Sequence, residues 1–72
     1  MQLHVKLKTT RTRSGYANAT LSRFMNYSNN RIEYGFHFYS DCKFFKHHAE
    51  LRSYVLEKYD VDIGDRKQFW GL

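Results

Sequence analysis

Apolar and polar residues alternate along the first half of the chain with a period of two. Leu3, Val5 and Leu7 point one way, and His4, Lys6, Lys8, Thr10 and Thr12 the other, which predicts a strand over about 2–12. The β-branched run Thr9, Thr10 and Thr12 agrees with that reading. Two further alternating stretches, about 16–27 and 31–39, meet at Asn29-Asn30, and Asn tolerates the positive φ of a tight hairpin turn. Folding there pairs Tyr27 with Ile32, Met25 with Tyr34, Arg23 with Phe36 and Leu21 with Phe38. On the other side it pairs Asn26 with Glu33, Phe24 with Gly35 and Ser22 with His37. A second loop at Arg13-Ser14-Gly15, with Gly15 left-handed, pairs Leu7 with Leu21, Val5 with Arg23 and Leu3 with Met25. Both loops keep the same face apolar. Ala17, Leu21, Phe24, Met25 and Ser28 also fit one helical face with Asn18 as cap, but a helix there leaves both turn signals unexplained.

Beyond Phe38 the period changes. Ser40 suits an N-cap, with Asp41 in the first turn, and Phe44, Phe45, Ala49, Leu51, Val55, Leu56 and Tyr59 form a helical stripe from about 41 to 59. Gly64 marks a turn in the tail, 60–72, whose Phe69 and Trp70 are expected to dock on the helix or the sheet edge. The expected fold class is α+β: one domain over 1–72, a three-stranded antiparallel meander (β-β-β-α) with a single helix on one sheet face. That helix covers Leu3, Val5, Leu7, Leu21, Met25, Ile32, Tyr34, Phe36 and Phe38. Arg23 falls among them, so it must snorkel out or be turned by a bulge.

Charge sharpens this picture. Residues 1–40 carry Lys6, Lys8, Arg11, Arg13, Arg23 and Arg31 against Glu33, which equals the whole net charge of +5; residues 41–72 balance. The excess lies on the sheet and favours a polyanion or an acidic protein surface as partner, although moderate positive charge also serves solubility alone. With 72 residues the chain is one small domain of modest stability, helped by its six Phe, six Tyr and one Trp. The lone Cys42 forms no internal disulfide and fits a reducing compartment. Met1 to Lys8 has no apolar leader core, and no run is long and apolar enough to span a bilayer, so the expected location is cytoplasmic and off the membrane.

The open sheet face is the candidate site. Lys6, Lys8, Arg11, Arg13 and Arg31 offer cations, while Tyr16, Phe24, His37 and Tyr39 offer rings, a mixture suited to DNA or RNA. The strand–helix order resembles that of three-strand-plus-helix DNA readers, plant AP2-type domains and the arm-binding domains of tyrosine integrases. That resemblance lies in architecture, without shared motifs, and implies a sheet laid against a nucleic acid. The alternative is a small protein-binding modulator of the phage or mobile-element type. It would act through the outer edge of the third strand, Ile32, Tyr34, Phe36 and Phe38, adding a partner strand or pairing with its own copy as a homodimer. No metal site is expected: His47 and His48 are adjacent and diverge on a helix, and Cys42 has no second thiol to complete a set. Asp60, Asp62 and Asp65 have no bidentate Glu at calcium-loop spacing. No cofactor motif, paired carboxylates or nucleophile–base arrangement appears, so no enzyme is expected.

Overall fold

The computed structural model describes all of residues 1–72. Alternation builds four strands, β1 (Gln2–Lys8), β2 (Tyr16–Asn26), β3 (Arg31–Phe38) and β4 (Asp41–Phe45), joined as an antiparallel meander in the order β1-β2-β3-β4. Helices α1 (His48–Tyr59) and α2 (Arg66–Trp70) pack on one face only. The protein is thus α+β with an antiparallel sheet and a covering helix, but it has four strands rather than three, and a second, short helix.

Both hairpin registers differ from the expected ones. Leu3 pairs with Leu21, Val5 with Ala19 and Leu7 with Ala17. Leu21 pairs with Phe36, Arg23 with Tyr34 and Met25 with Ile32. The slides are by four and by two residues, even numbers, so every side chain keeps its face. Longer loops cause them. Between β2 and β3 the Asn side chains hold a four-residue turn, Tyr27 to Asn30. Asn26 Oδ1 accepts from the Ser28 N–H at 3.0 Å, Asn29 Oδ1 accepts from the Arg31 N–H at 3.1 Å, and Asn30 has φ 58°. Between β1 and β2 the Thr9 N–H donates to the Gly15 carbonyl at 2.9 Å and Thr12 Oγ1 to the Tyr16 carbonyl at 2.8 Å. Gly15 is left-handed there, as expected, with φ 80°.

The stretch after Phe38 is the main correction. Ser40 is not an N-cap: Tyr39 and Ser40 form a tight turn, with Tyr39 at φ 55°, and Asp41–Phe45 returns along β3 as β4. This pairing satisfies backbone groups that β3 would otherwise leave at an edge. The helix begins only at His48, after an extended His47 that supplies no side-chain cap.

The core is Leu7, Ala19, Leu21, Tyr34, Phe36, Phe38, Leu51, Val55 and Trp70. Its rings meet at angles that suit their quadrupoles: Phe36 lies 5.6 Å from Tyr54 and Phe38 5.4 Å from Tyr59, both edge to face. Two polar anchors fasten the helical layer. The Trp70 Nε1–H donates to His48 Nδ1 at 3.0 Å, so the His48 proton sits on Nε2, which donates to the Gly64 carbonyl at 2.8 Å. Phe69 and Trp70 therefore close the fold as expected, with Trp70 5.8 Å from Tyr34. At the other end, Asp41 Oδ2 accepts from Tyr54 Oη and Tyr59 Oη at 2.6 Å each and from Lys58 Nζ at 2.9 Å. Burial raises the Asp41 carboxyl, but these three donors outweigh it and hold it at about 2. Arg23 stays on the helix side without a bulge; its main chain pairs with Met1, and its buried Nε has no partner.

Candidate nucleic-acid interface

The face away from the helices is where side chains remain unspent. Register places two rows across it: Gln2, Ser22, Gly35 and Phe44, then His4, Thr20, His37 and Cys42. Lys6 lies opposite Asn18 and Lys8 opposite Tyr16, further along β1. Lys6, Lys8, Tyr16, Phe24 and His37, all expected on this face, are therefore together on it.

The other expected residues are dispersed. Arg11 and Arg13 lie in the β1–β2 loop at the end of the sheet. Tyr39 leaves the open face for the β3–β4 turn, where its ring packs 4.8 Å from Phe38 and beneath the Arg11 guanidinium at 4.7 Å. Arg31 opens β3 at the far end of the face. There it borders a hollow of about 310 Å³ shared with Lys46, His47 and Arg66. Of the expected binding edge, Tyr34, Phe36 and Phe38 are paired with Phe45, Lys43 and Asp41 of β4, so no free edge exists there. Ile32 alone of that set lies beyond β4.

Sequence reasoning missed Phe44, the most exposed phenylalanine, at 69%. It belongs to β4 and points away from the helices, over Gly35. A Cβ on Gly35 would stand 2.6 Å from Ser22 Oγ, which would have to turn away, and 3.4 Å from Phe44 Cε1, an ordinary contact, so the glycine leaves room for the hydroxyl beneath the ring. Phe24, expected opposite Gly35, instead faces Glu33 and meets Phe44 edge-on, with centroids 6.1 Å apart and planes at 90°. The available signal was Gly35 itself, since a glycine inside a strand marks a close approach by another group.

Electrostatics separate the two sides of the sheet. Of the seven acidic residues, only Glu33 belongs to the open face. Its oxygens accept from Asn29 Nδ2 at 2.8 Å and Asn26 Nδ2 at 3.1 Å, which holds its carboxyl below the usual carboxylate range. Asp41 is committed to the helix side, and Asp62 is held at about 2 by Arg52, at 2.7 Å, and by the Gly64 N–H. Asp65 caps α2 by accepting from the Gln68 N–H at 2.8 Å. Cys42 and His48 lie on opposite sides of the sheet, Cys42 exposed and His48 buried.

Fold and face together define a small α+β protein with a helix-backed sheet and a basic, ring-bearing open surface. No protein-family model, no curated protein and no solved structure matches the chain. No helix is long and apolar enough to cross a membrane.

Proposed function

We propose that this protein binds nucleic acid across the open face of its sheet. The observation that carries the reading is the sorting of charge: six of seven acidic side chains belong to the helix side, while Lys6 and Lys8 stand exposed on the open face beside Tyr16, with Phe24 and Phe44 further along it. Lysines neutralise phosphates and release counterions, and rings accept bases. Fluorescence anisotropy of labelled DNA and RNA oligonucleotides, titrated across a salt series, tests it. The double variant Lys6→Glu/Lys8→Glu should weaken binding to every sequence, and the slope of log affinity against log salt should flatten by about 1 for each phosphate no longer neutralised. Unchanged affinity in that variant would remove the open face from the account.

The competing reading, a protein-binding modulator acting by strand addition, must move from β3 to the outer edge of β4, Asp41–Phe45, which no strand covers. That edge is short and carries Asp41 and Lys43, charges of the kind that blunt strand addition. The N–H groups of β4 alternate, and those of residues 42 and 44 point to the free edge, so Cys42→Pro should then abolish partner capture while leaving oligonucleotide affinity intact.

A further inference from the structure

The open face is not uniform, and its two parts suit different portions of a ligand. Lys6 and Lys8 line the first strand, suited to phosphates. Four residues before Lys6, about 13 Å at strand rise, Gln2 borders a hollow of about 440 Å³ with no Lys or Arg in its wall. Its floor is Gly35, its side wall is the Phe44 ring, and Gln2, Thr20, Ser22 and His37 surround it. Thr20 Oγ1 lies 3.4 Å from His4 Nδ1, a long hydrogen bond, whereas Gln2, Ser22 and His37 have their side-chain donors and acceptors available. An apolar wall edged by neutral, adjustable hydrogen-bonding groups is the chemistry of a flat heterocycle, not of a phosphate.

We infer that this hollow receives one unpaired nucleobase, stacked on Phe44, so that the protein prefers single-stranded nucleic acid to a duplex. The inference rests on the nucleic-acid reading above and names its substrate class. Two observations and one property of nucleic acids converge on it. The Phe44 ring lies over Gly35 and meets the Phe24 ring at 90°, with centroids 6.1 Å apart. It nevertheless stays 69% exposed, when burial would be the favoured fate of a phenylalanine. The bases of a duplex are already stacked on one another, so only an unstacked base can offer its face to such a ring.

Wild-type protein should bind a labelled 12-nucleotide oligo-dT or oligo-U strand more tightly than a duplex of equal length. Phe44→Ala should lower single-strand affinity roughly 5- to 100-fold, the range one lost stack gives, and leave duplex affinity nearly unchanged. Phe44→Trp should restore binding, with its fluorescence quenched as the base stacks, a signal that a merely structural role would not produce. Circular dichroism checks each fold. If Phe44→Ala unfolds, Phe44→Leu keeps an apolar cover on Gly35 without the π-face and should show the same loss. Full single-strand affinity in a folded Phe44→Ala or Phe44→Leu variant, with Lys6→Glu/Lys8→Glu still weakening it, would overturn the base site while sparing the nucleic-acid reading. Wild-type protein that binds neither strand nor duplex would overturn both.

Discussion

The two faces of this sheet are made by the same strands, residue by alternate residue, yet they differ in how far their groups are satisfied. On the helix side Asp41 accepts three hydrogen bonds, both His48 nitrogens are engaged, and Phe36, Phe38 and Tyr34 pack ring against ring. On the open side Phe44 stands in water, Lys6 and Lys8 have no acidic partner, and Gln2, Ser22 and His37 are free. Satisfied polar groups and buried rings specify a fold; an exposed ring costs solubility and packing, and it makes sense when a partner covers it. One backbone thus separates, by parity, the packed face from the face proposed to bind.

That division is tested most severely by deleting one ring from each half. Trp70→Ala removes a ring that is 3% exposed and strands the His48 Nδ1 acceptor, so it should destabilise the protein by about 3–5 kcal/mol. Phe44→Ala, the loss of another large ring, should cost less than about 1 kcal/mol because that ring is mostly in water. Urea unfolding followed by circular dichroism measures both. Equal costs would mean that Phe44 is part of the core and that the faces are not separate.

Asp41 tests the polar half. Asp41→Asn exchanges the carboxylate shared by Tyr54, Tyr59 and Lys58 for a neutral amide, at a cost of about 2 kcal/mol. The same anchor sets a pH window. The folded-state carboxyl titrates at about 2, below its ordinary value of 3.8, so its contribution is complete above pH 3.8 and is lost as pH falls from there toward 2. Burial first, and then the bond to Asp41, pushes the Tyr59 hydroxyl up from 10 to about 12, so its contribution is complete below pH 10 and is lost as pH rises toward 12. Stability from this anchor should therefore be level between about pH 4 and 10. The Asp41→Asn variant should have a shallower acid-side slope, with the share from Asp62 and Glu33 remaining, and an unchanged slope would place the acid sensitivity in those two groups.

The sequence revealed parity better than it revealed register. Leu3, Val5 and Leu7 had to share a face with Leu21, Tyr34 and Phe36 in any arrangement that slides by an even number, so the covered and open faces were legible before the pairs were. What decided the pairs was how the loops closed. Asn26 and Asn29 bond main-chain N–H groups two residues on, which lengthens the β2–β3 turn by two residues. The fourth strand was hidden for a different reason. Phe44 and Phe45 extend the helical stripe of Leu51 and Val55, and a left-handed tyrosine at position 39 has no compositional marker such as Gly or Asn. Misreading β4 as a helix concealed Phe44, and with it the hollow that its ring walls.

Arg23 gives the smallest expected effect and bears most directly on what each face tolerates. It is a basic residue whose parity puts it on the wrong side, next to Tyr34, with a buried Nε that donates to nothing. A cation kept there for stability should be costly to replace, whereas one merely tolerated should not be. An unsatisfied buried donor is a liability, and a methionine of similar length keeps the packing of the aliphatic stem without the donor. Arg23→Met should therefore be neutral or stabilising by about 1 kcal/mol, while Arg23→Ala, which also loses the stem, should destabilise by a similar amount. Oligonucleotide affinity should stay at the wild-type level in Arg23→Met, in contrast to Lys6→Glu/Lys8→Glu. A clear loss of affinity in a stable Arg23→Met protein would show that the guanidinium reaches the ligand past the sheet end, and that parity alone does not divide the binding face from the core.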